Sequence, residues 1–371
     1  MGNARPIARR LALTATLRRK ALAAALRRLA LTTALLYCFA TTALALVWTL
    51  QPTGPWWLVL TNLFAPVLFL PLMLVVPLAL LTRSRTLAAA VTLPTVTFLA
   101  LFGGLLLPKQ PPTPPGTPLR VMSFNQLFSN PDTEGVIASL RDSQADIIAL
   151  QELSPSVAQH VADLHEQYPY QALLPDPADS AGGLALLSRY PMTVQNSAGD
   201  FPYQIAALQV GAQTLTLINA HPNVPDIDLG RLGRLPLLLG YSTERRDRQI
   251  AQMLDLALRS HHPVILLGDL NAGEREPIYA DLAAQMRDAF RETSAGFGFT
   301  FPNGLVDIRV PAPFPVVRLD YVWTRGPIAP VAAWVDCRNT SADHCALHAE
   351  LRITPSDGAT ASTPRGIIPG R

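Results

Sequence analysis

The sequence predicts a membrane-anchored α/β protein, and three observations predict it. Residues 29–107 hold three uncharged or nearly uncharged apolar stretches. Residues 108–118, "PKQPPTPPGTP", form a proline-rich spacer. Beyond the spacer, short Val-, Ile- and Leu-rich runs alternate with helical patterns and repeatedly end at Asp, Glu, Asn or His. Short apolar runs stopped by turn residues read as buried strands, and strands alternating with helices read as an α/β sheet protein.

The apolar stretches lie at about 29–50, 57–81 and 86–107. Each is near the roughly 20 residues needed to span hydrocarbon. Residues 1–28 form a basic segment, and "TRSRT" at 82–86 joins the second stretch to the third, whereas the loop "QPTGPW" carries no charge. By the positive-inside rule the N-terminus and "TRSRT" are cytoplasmic, and three spans place everything after residue 107 outside. The expected localisation is therefore the plasma membrane, multi-pass, with an extracytoplasmic domain. The spacer reads as stiff and extended. The domain follows over 119–353, and the tail over 354–371, small, polar and rich in Pro and Gly, reads as disordered.

Charge is unevenly divided. Residues 1–116 contain eleven Lys and Arg and no acid, which leaves 19 basic and 27 acidic residues beyond them, a net of −8. An acidic domain gives no support to broad electrostatic capture of nucleic acid.

Six junctions carry the candidate chemistry. "LRVMSFNQLFSN" ends a strand near Asn125, and "ADIIALQEL" ends one at Glu152. "LTLINAHPNVP" ends one at His221, and "VILLGDLNA" presents Asp269 and Asn271. "VVRLDYVW" holds Asp320, and "TSADHCALHAEL" sets Asp343 and His344 before the last strand. Any one of these is an ordinary turn. Six in succession suggest converging site residues.

In this order the motifs "SFNQLFSN", "LQEL", "GLALLSRYP", "NAHP", "GDLNA", "RLDYV" and "SADH" resemble the endonuclease/exonuclease/phosphatase superfamily, which includes deoxyribonuclease I. The resemblance covers about 119–353. It implies a four-layer α/β sandwich of two mixed sheets, with helical stretches at 133–143 and 244–259 outside. It also implies a divalent-metal-dependent phosphoesterase using Mg²⁺, or alternatively Mn²⁺. On this resemblance Glu152, Asn125 and Asp343 are the metal residues. Asp269 orients or deprotonates the attacking water, and Asn271 donates to the phosphate. His344 handles the proton with Asp320 as its partner, and His221 contacts the phosphate or leaving group. The three-span architecture also resembles bacterial membrane proteins linked to glycopeptide resistance, which points to lipid-linked phosphates.

The expected partners are membrane lipids and a phosphoester substrate, with nucleic acid less favoured. An extracellular nuclease and a non-catalytic membrane binding module stand as alternatives. Two further features stay open at this level. Residues 222–243 mix Leu with Arg231 and Arg234 and either touch lipid at the site rim or pack beneath the site. Cys337 and Cys345, flanking Asp343 and His344, are either bridged or free.

Overall fold

A computed structural model of the chain describes residues 4–51, 53–176, 181–196, 200–232, 235–305, 311–312, 314–338 and 341–354. Of the expected tail only Thr354 is among them, and Arg234 also lies outside the described residues. The chain forms two compact units, Met1–Gly54 with Phe64–Gly104, and Pro55–Leu63 with Leu105–Arg371.

The N-terminal part runs through α1 (Ala4–Leu50), α2 (Trp56–Leu63), α3 (Ala65–Leu68), α4 (Leu72–Thr82) and α5 (Arg85–Phe102). Three helical segments are long and apolar enough to cross a membrane: Leu17–Leu50, Ala65–Thr82 and Arg85–Leu106. Within the first unit Ala34 and Cys38 pack with Ala79, Leu87 and Val91. The stretch read as one span over 57–81 is divided. Pro66 lies in the first turn of α3 and Pro71 caps α4, and a proline cannot donate the backbone N–H that would continue a preceding helix. The part before the break, α2, clusters with the second unit.

That second unit continues through β1 (Thr117–Asn125), α6 (Thr133–Asp142), β2 (Ile147–Gln151), α7 (Pro155–Ala162), β3 (Tyr170–Leu174), β4 (Leu184–Ser188), β5 (Met192–Asn196), β6 (Tyr203–Val210) and β7 (Gln213–Ala220). Then come β8 (Asp226–Leu232), β9 (Leu235–Ser242), α8 (Glu244–Arg259), β10 (Val264–Asp269), α9 (Pro277–Gln285), β11 (Arg287–Asp288), α10 (Ala289–Thr293), β12 (Gly304–Leu305), β13 (Pro311–Ala312), β14 (Asp320–Arg325), β15 (Ile328–Asp336) and β16 (Ala346–Ile353).

Two six-stranded sheets result, β15-β16-β1-β2-β4-β3 and β11-β14-β10-β7-β6-β5. Each is mixed in the same way. One central pair is parallel, β1 with β2 and β7 with β10, and its neighbours are antiparallel. A parallel pair requires a crossover; α6 supplies the first and α8 lies within the second.

Strand alternation assigns the layers. Val121, Ile147 and Ala149 of one sheet share a core with Leu217, Ile265 and Leu267 of the other. Met122, Ile148 and Leu150 turn outward onto Val136 and Leu140 of α6 and Val157 of α7. Ile218 and Leu266 turn outward onto Ile250 and Met253 of α8 and Leu282 of α9. The domain is thus a four-layer sandwich, α/β/β/α. Its central strands are buried on both faces, which is why they read as unbroken apolar runs. Truncating one such residue, as in Ile265→Ala, would cost about 2–5 kcal/mol.

Candidate active site

The site follows from the two parallel pairs. Parallel neighbours end on the same sheet edge, so β1 and β2 deliver Asn125 and Glu152 together, and β7 and β10 deliver His221 and Asp269. The antiparallel neighbours start at that edge: Asp320 opens β14 directly opposite Asp269, and Asp343 and His344 precede β16. The two edges meet. Asn125 Nδ2 donates to Glu152 Oε1 at 2.9 Å and to Asp269 Oδ2 of the other sheet at 3.0 Å.

Local backbone features make these approaches feasible. Gly268 has φ +152°, and a Cβ there would collide with the Ala220 carbonyl. Only glycine lets β10 come so close to the residue before His221. Glu152 and Asn271 adopt φ of +59° and +52°. Asn tolerates this region, whereas for Glu it carries a strain on the order of 1–3 kcal/mol. The Glu152 conformation is held by Gln126 Nε2, which donates to its carbonyl, and by Phe128 N–H, which donates to Oε2 at 3.1 Å.

Asp269 stands at the centre. Besides Asn125, its Oδ2 lies 3.5 Å from His344 Nε2 and 3.6 Å from His221 Nε2, and its Oδ1 accepts from Asn271 N–H at 2.9 Å. His344 Nδ1 lies 2.8 Å from Asp320 Oδ2, and the ring lies tilted against Phe301 with centroids 4.8 Å apart. His221 Nδ1 faces the Ala181 carbonyl at 3.0 Å, which fixes the ring and turns Nε2 toward Asp269 and toward Glu152 Oε1 at 3.8 Å. Asn271 Nδ2 donates to the Pro222 carbonyl at 3.0 Å and lies 3.4 Å from His221 Nε2.

Burial and charge set the protonation states. Burial would lower the His344 pKa, but the Asp320 and Asp269 carboxylates outweigh it and hold the ring up to about 10. Burial would raise Asp269, but the facing histidines and the Asn271 N–H hold it down to about 2. Burial likewise works against charge on His221, and Asp269 and Glu152 reverse the shift and raise it. Asp343 is raised by burial and by the Glu152 and Asp269 charges, against His344.

These residues suit a hard cation. Asp343 Oδ1 is buried without a hydrogen-bond partner, and its carboxyl is pressed by the Glu152 charge. A buried carboxylate with an unpartnered oxygen, close to a second carboxylate, is a donor set that oxygen-seeking divalent ions take. A second grouping, Asp269, Asp320 and His344, brings one ligand-capable atom each within 4.8 Å of one another.

All eight residues singled out from the sequence are brought to this edge. Asn125, expected to support the metal or the phosphate, is held at both ends of its amide. Its amide nitrogen serves Glu152 and Asp269, and its Oδ1 accepts from Leu127 N–H at 3.1 Å. Cys337 and Cys345 are disulfide-bonded, and Cys345 N–H also donates to the Thr300 carbonyl at 2.8 Å.

Several supporting residues escaped the sequence reading. Thr300 Oγ1 accepts from the N–H groups of Leu319 and Asp320. Beneath the site, Gln151 Nε2 donates to Asn219 Oδ1 at 2.8 Å, and Asn219 Nδ2 donates to Gln204 Oε1 at 3.2 Å. This fully buried amide chain links the two sheets. The signal was an amide inside an apolar strand, in "IIALQ" and "LTLINA".

A family model described as "Endonuclease/Exonuclease/phosphatase family" matches residues 122–357. No curated protein matches in sequence. Among solved structures, an endonuclease/exonuclease/phosphatase from Bacteroides vulgatus is 15% identical, with a TM-score of 0.51 over 64% of this chain and 100% of that one. A humanized D. rerio TDP2 carrying 14 mutations is 16% identical, with a TM-score of 0.49 over 63% of this chain and 99% of that one.

Proposed function

The chain belongs to the endonuclease/exonuclease/phosphatase family, and on that premise we propose that it is a membrane-anchored, divalent-metal-dependent phosphoester hydrolase with an extracytoplasmic catalytic domain over 119–353. One observation carries the chemistry. An ionised carboxylate, Asp269, sits among Asn125, His221 and His344, beside two further acids, Glu152 and an Asp343 whose buried Oδ1 has no hydrogen-bond partner.

The roles follow from the magnitudes. With its pKa near 2, Asp269 accepts a hydrogen bond from the attacking water and aims it; it is a weak base. With its pKa near 10, His344 is an imidazolium at neutral pH, a positive charge and proton donor beside the reacting phosphate. Asp320 fixes its tautomer and favours its charge. His221 and Asn271 supply N–H groups where negative charge develops. Glu152 and Asp343 would hold Mg²⁺ or Mn²⁺, which when bound supplies charge neutralisation on the phosphate. The cation is assigned to this pair because Asp320 and His344 are already bonded to each other, and Mg²⁺ favours oxygen over imidazole.

Three helical segments of spanning length and the basic N-terminus support the anchoring and the outward orientation. A C-terminal alkaline phosphatase fusion should be active; an inactive fusion with a bright cytoplasmic reporter would reverse the topology. For the activity, the full chain in detergent should be offered phospholipids, polyprenyl phosphates, a soluble phosphodiester and plasmid DNA, with and without Mg²⁺. Cleavage that survives a chelator, or no cleavage of any phosphoester, would sink the proposal.

A further inference from the structure

The connection between His221 and α8 is a free-standing two-stranded hairpin, β8–β9, outside both main sheets. Tyr241 near its root is buried, but most of its described aliphatic side chains are not. Val224, Ile227, Leu229, Leu237 and Leu239, together with Trp57 of α2, are between 45% and 65% exposed. A soluble surface rarely gathers this many large apolar groups without an occupant. The lone hairpin has no layer of its own to bury them against.

Two connections say what the occupant is. At its root the hairpin is tied to the site. Asn271 Nδ2 donates to the Pro222 carbonyl at 3.0 Å, and Gln249 Oε1 accepts from Asn223 N–H at 2.8 Å. β9 also comes into contact with α2. That helix is clasped to the loop after Asn271: Asn62 Nδ2 donates to the Arg275 carbonyl at 3.1 Å, and Arg275 Nε donates to Asn62 Oδ1 at 2.7 Å. A Cβ at Gly273 would collide with Leu63. The chain then passes through one residue, Phe64, into Ala65–Thr82, a segment apolar and long enough to cross a membrane. Asp226 and Asp228 lie at the root of the hairpin, and Arg231 lies toward its turn.

We infer that β8–β9 and α2 form a bilayer-contacting surface that seats the mouth of the site on lipid. This rests on the membrane-anchored hydrolase reading above and narrows its substrate class to amphiphilic phosphoesters, whose apolar part stays in the bilayer while the phosphate reaches Asp269. An aliphatic hairpin with an arginine toward its turn suits that position, with the cation among head-group phosphates and the leucines below them.

The test uses the full chain, carrying Cys38→Ala, in phosphatidylcholine–phosphatidylglycerol vesicles. Leu229→Cys and Leu239→Cys, one on each strand, are labelled separately with an environment-sensitive dye; Ala207→Cys, exposed on β6, is the control. Both hairpin labels should show blue-shifted emission, several-fold brighter than the control and quenched by nitroxides on lipid chains. Water-like emission at both would overturn the inference. So would blue-shifted emission that lipid nitroxides do not quench, since a protein partner or a second copy would then cover the hairpin. Hydrolysis of bis(p-nitrophenyl) phosphate by the same vesicles, measured without labels, reports separately on the hydrolase reading. Quenching without hydrolysis of this ester or of any phosphoester in the panel sinks that reading alone, and hydrolysis without quenching sinks the hairpin.

Discussion

The loop "GDLNAGERE" sends its polar residues to two different places. Asp269 and Asn271 face the site. Glu274 and Glu276, only a few residues on, turn the other way into ion pairs, partly buried for Glu274 and buried for Glu276. Glu276 receives Arg246, whose Nη2 lies 2.5 Å from Oε2 and whose Nη1 donates to the Asn271 carbonyl at 2.6 Å. Glu274 receives Arg291 at 2.6 and 2.7 Å and also Arg318, which forks onto Asp288. Asp288 in turn caps α10. In this arginine cluster each carboxylate meets a guanidinium head on. At the site four carboxylates face two histidines, and the buried Asp343 Oδ1 and Gln126 Oε1 have no partner. The satisfied cluster holds the loop in place. The unsatisfied one keeps binding capacity for something that is not protein.

The contrast predicts opposite phenotypes for substitutions a few residues apart. Asp269→Asn should remove the aiming carboxylate, and His344→Ala the charged donor. Each should lower kcat/KM by at least about 10²-fold, because positioned proton-handling groups contribute roughly 10²–10⁴. Asp269→Asn should change thermal stability little in comparison, whereas His344→Ala leaves buried Asp320 without its charged partner and should also lose stability, so its rate is compared per folded molecule. Steady-state kinetics on the substrate found by the panel, paired with a melting curve, checks both halves. Near-full turnover in folded Asp269→Asn would erase the distinction between the clusters.

Arg318→Met should do the reverse. It leaves Asp288 buried and uncompensated, which costs about 3–5 kcal/mol, and it also loses packing over Tyr321, whose ring centroid is 4.4 Å from the guanidinium carbon. Activity per folded molecule should be kept. Pulse proteolysis in denaturant measures the first and active-site titration the second. Unchanged stability would show that the arginine cluster does not fasten the loop.

Glu152→Gln sharpens the comparison inside the site. If Glu152 and Asp343 hold the cation, this variant should need more Mg²⁺ for half-maximal rate and recover part of its activity when Mg²⁺ is raised. Asp320→Asn should leave the Mg²⁺ requirement where it was. A Mg²⁺ titration in which Asp320→Asn shifts more than Glu152→Gln would move the cation to the Asp269, Asp320 and His344 grouping.

Much of the fold was readable because the central strands are buried on both faces, so their apolar runs and the polar residues that stop them stand out. The eight candidate positions stood out for the same reason, as polar residues that stop those runs. What was not readable depends on direction and partner. Nothing in "GDLNAGEREP" separates Asp269 from Glu276; only the position of Arg246, on a helix earlier in the chain, does so. The break in the second apolar stretch hung on whether Pro66 and Pro71 would be tolerated, as spanning helices often tolerate proline. Asn62, bonded to Arg275, helps commit α2 to the catalytic unit. The hairpin over 222–243 left its leucines ambiguous, since exposure is not written in composition.

The smallest expected effect is the most specific. Asp320 acts on the reaction only through His344. The ring's folded pKa, near 10, lies above its ordinary 6.5. Its charged pairing therefore stabilises the fold fully below pH 6.5, and that contribution fades as pH rises from 6.5 through 10. Asp320→Asn removes the largest of the three raising charges, those of Asp320, Asp269 and Asp343, while burial still lowers the ring. The proton should then leave at lower pH. Three consequences follow together. At neutral pH the loss of rate should be smaller than for His344→Ala. The alkaline limb of kcat/KM should move to lower pH. The stability gap between wild type and variant should be widest below pH 6.5 and narrow toward pH 10. A merely structural role for Asp320 would lower the rate by the same factor at every pH, so an unmoved alkaline limb would remove Asp320 from the proton machinery and leave it a packing residue of β14.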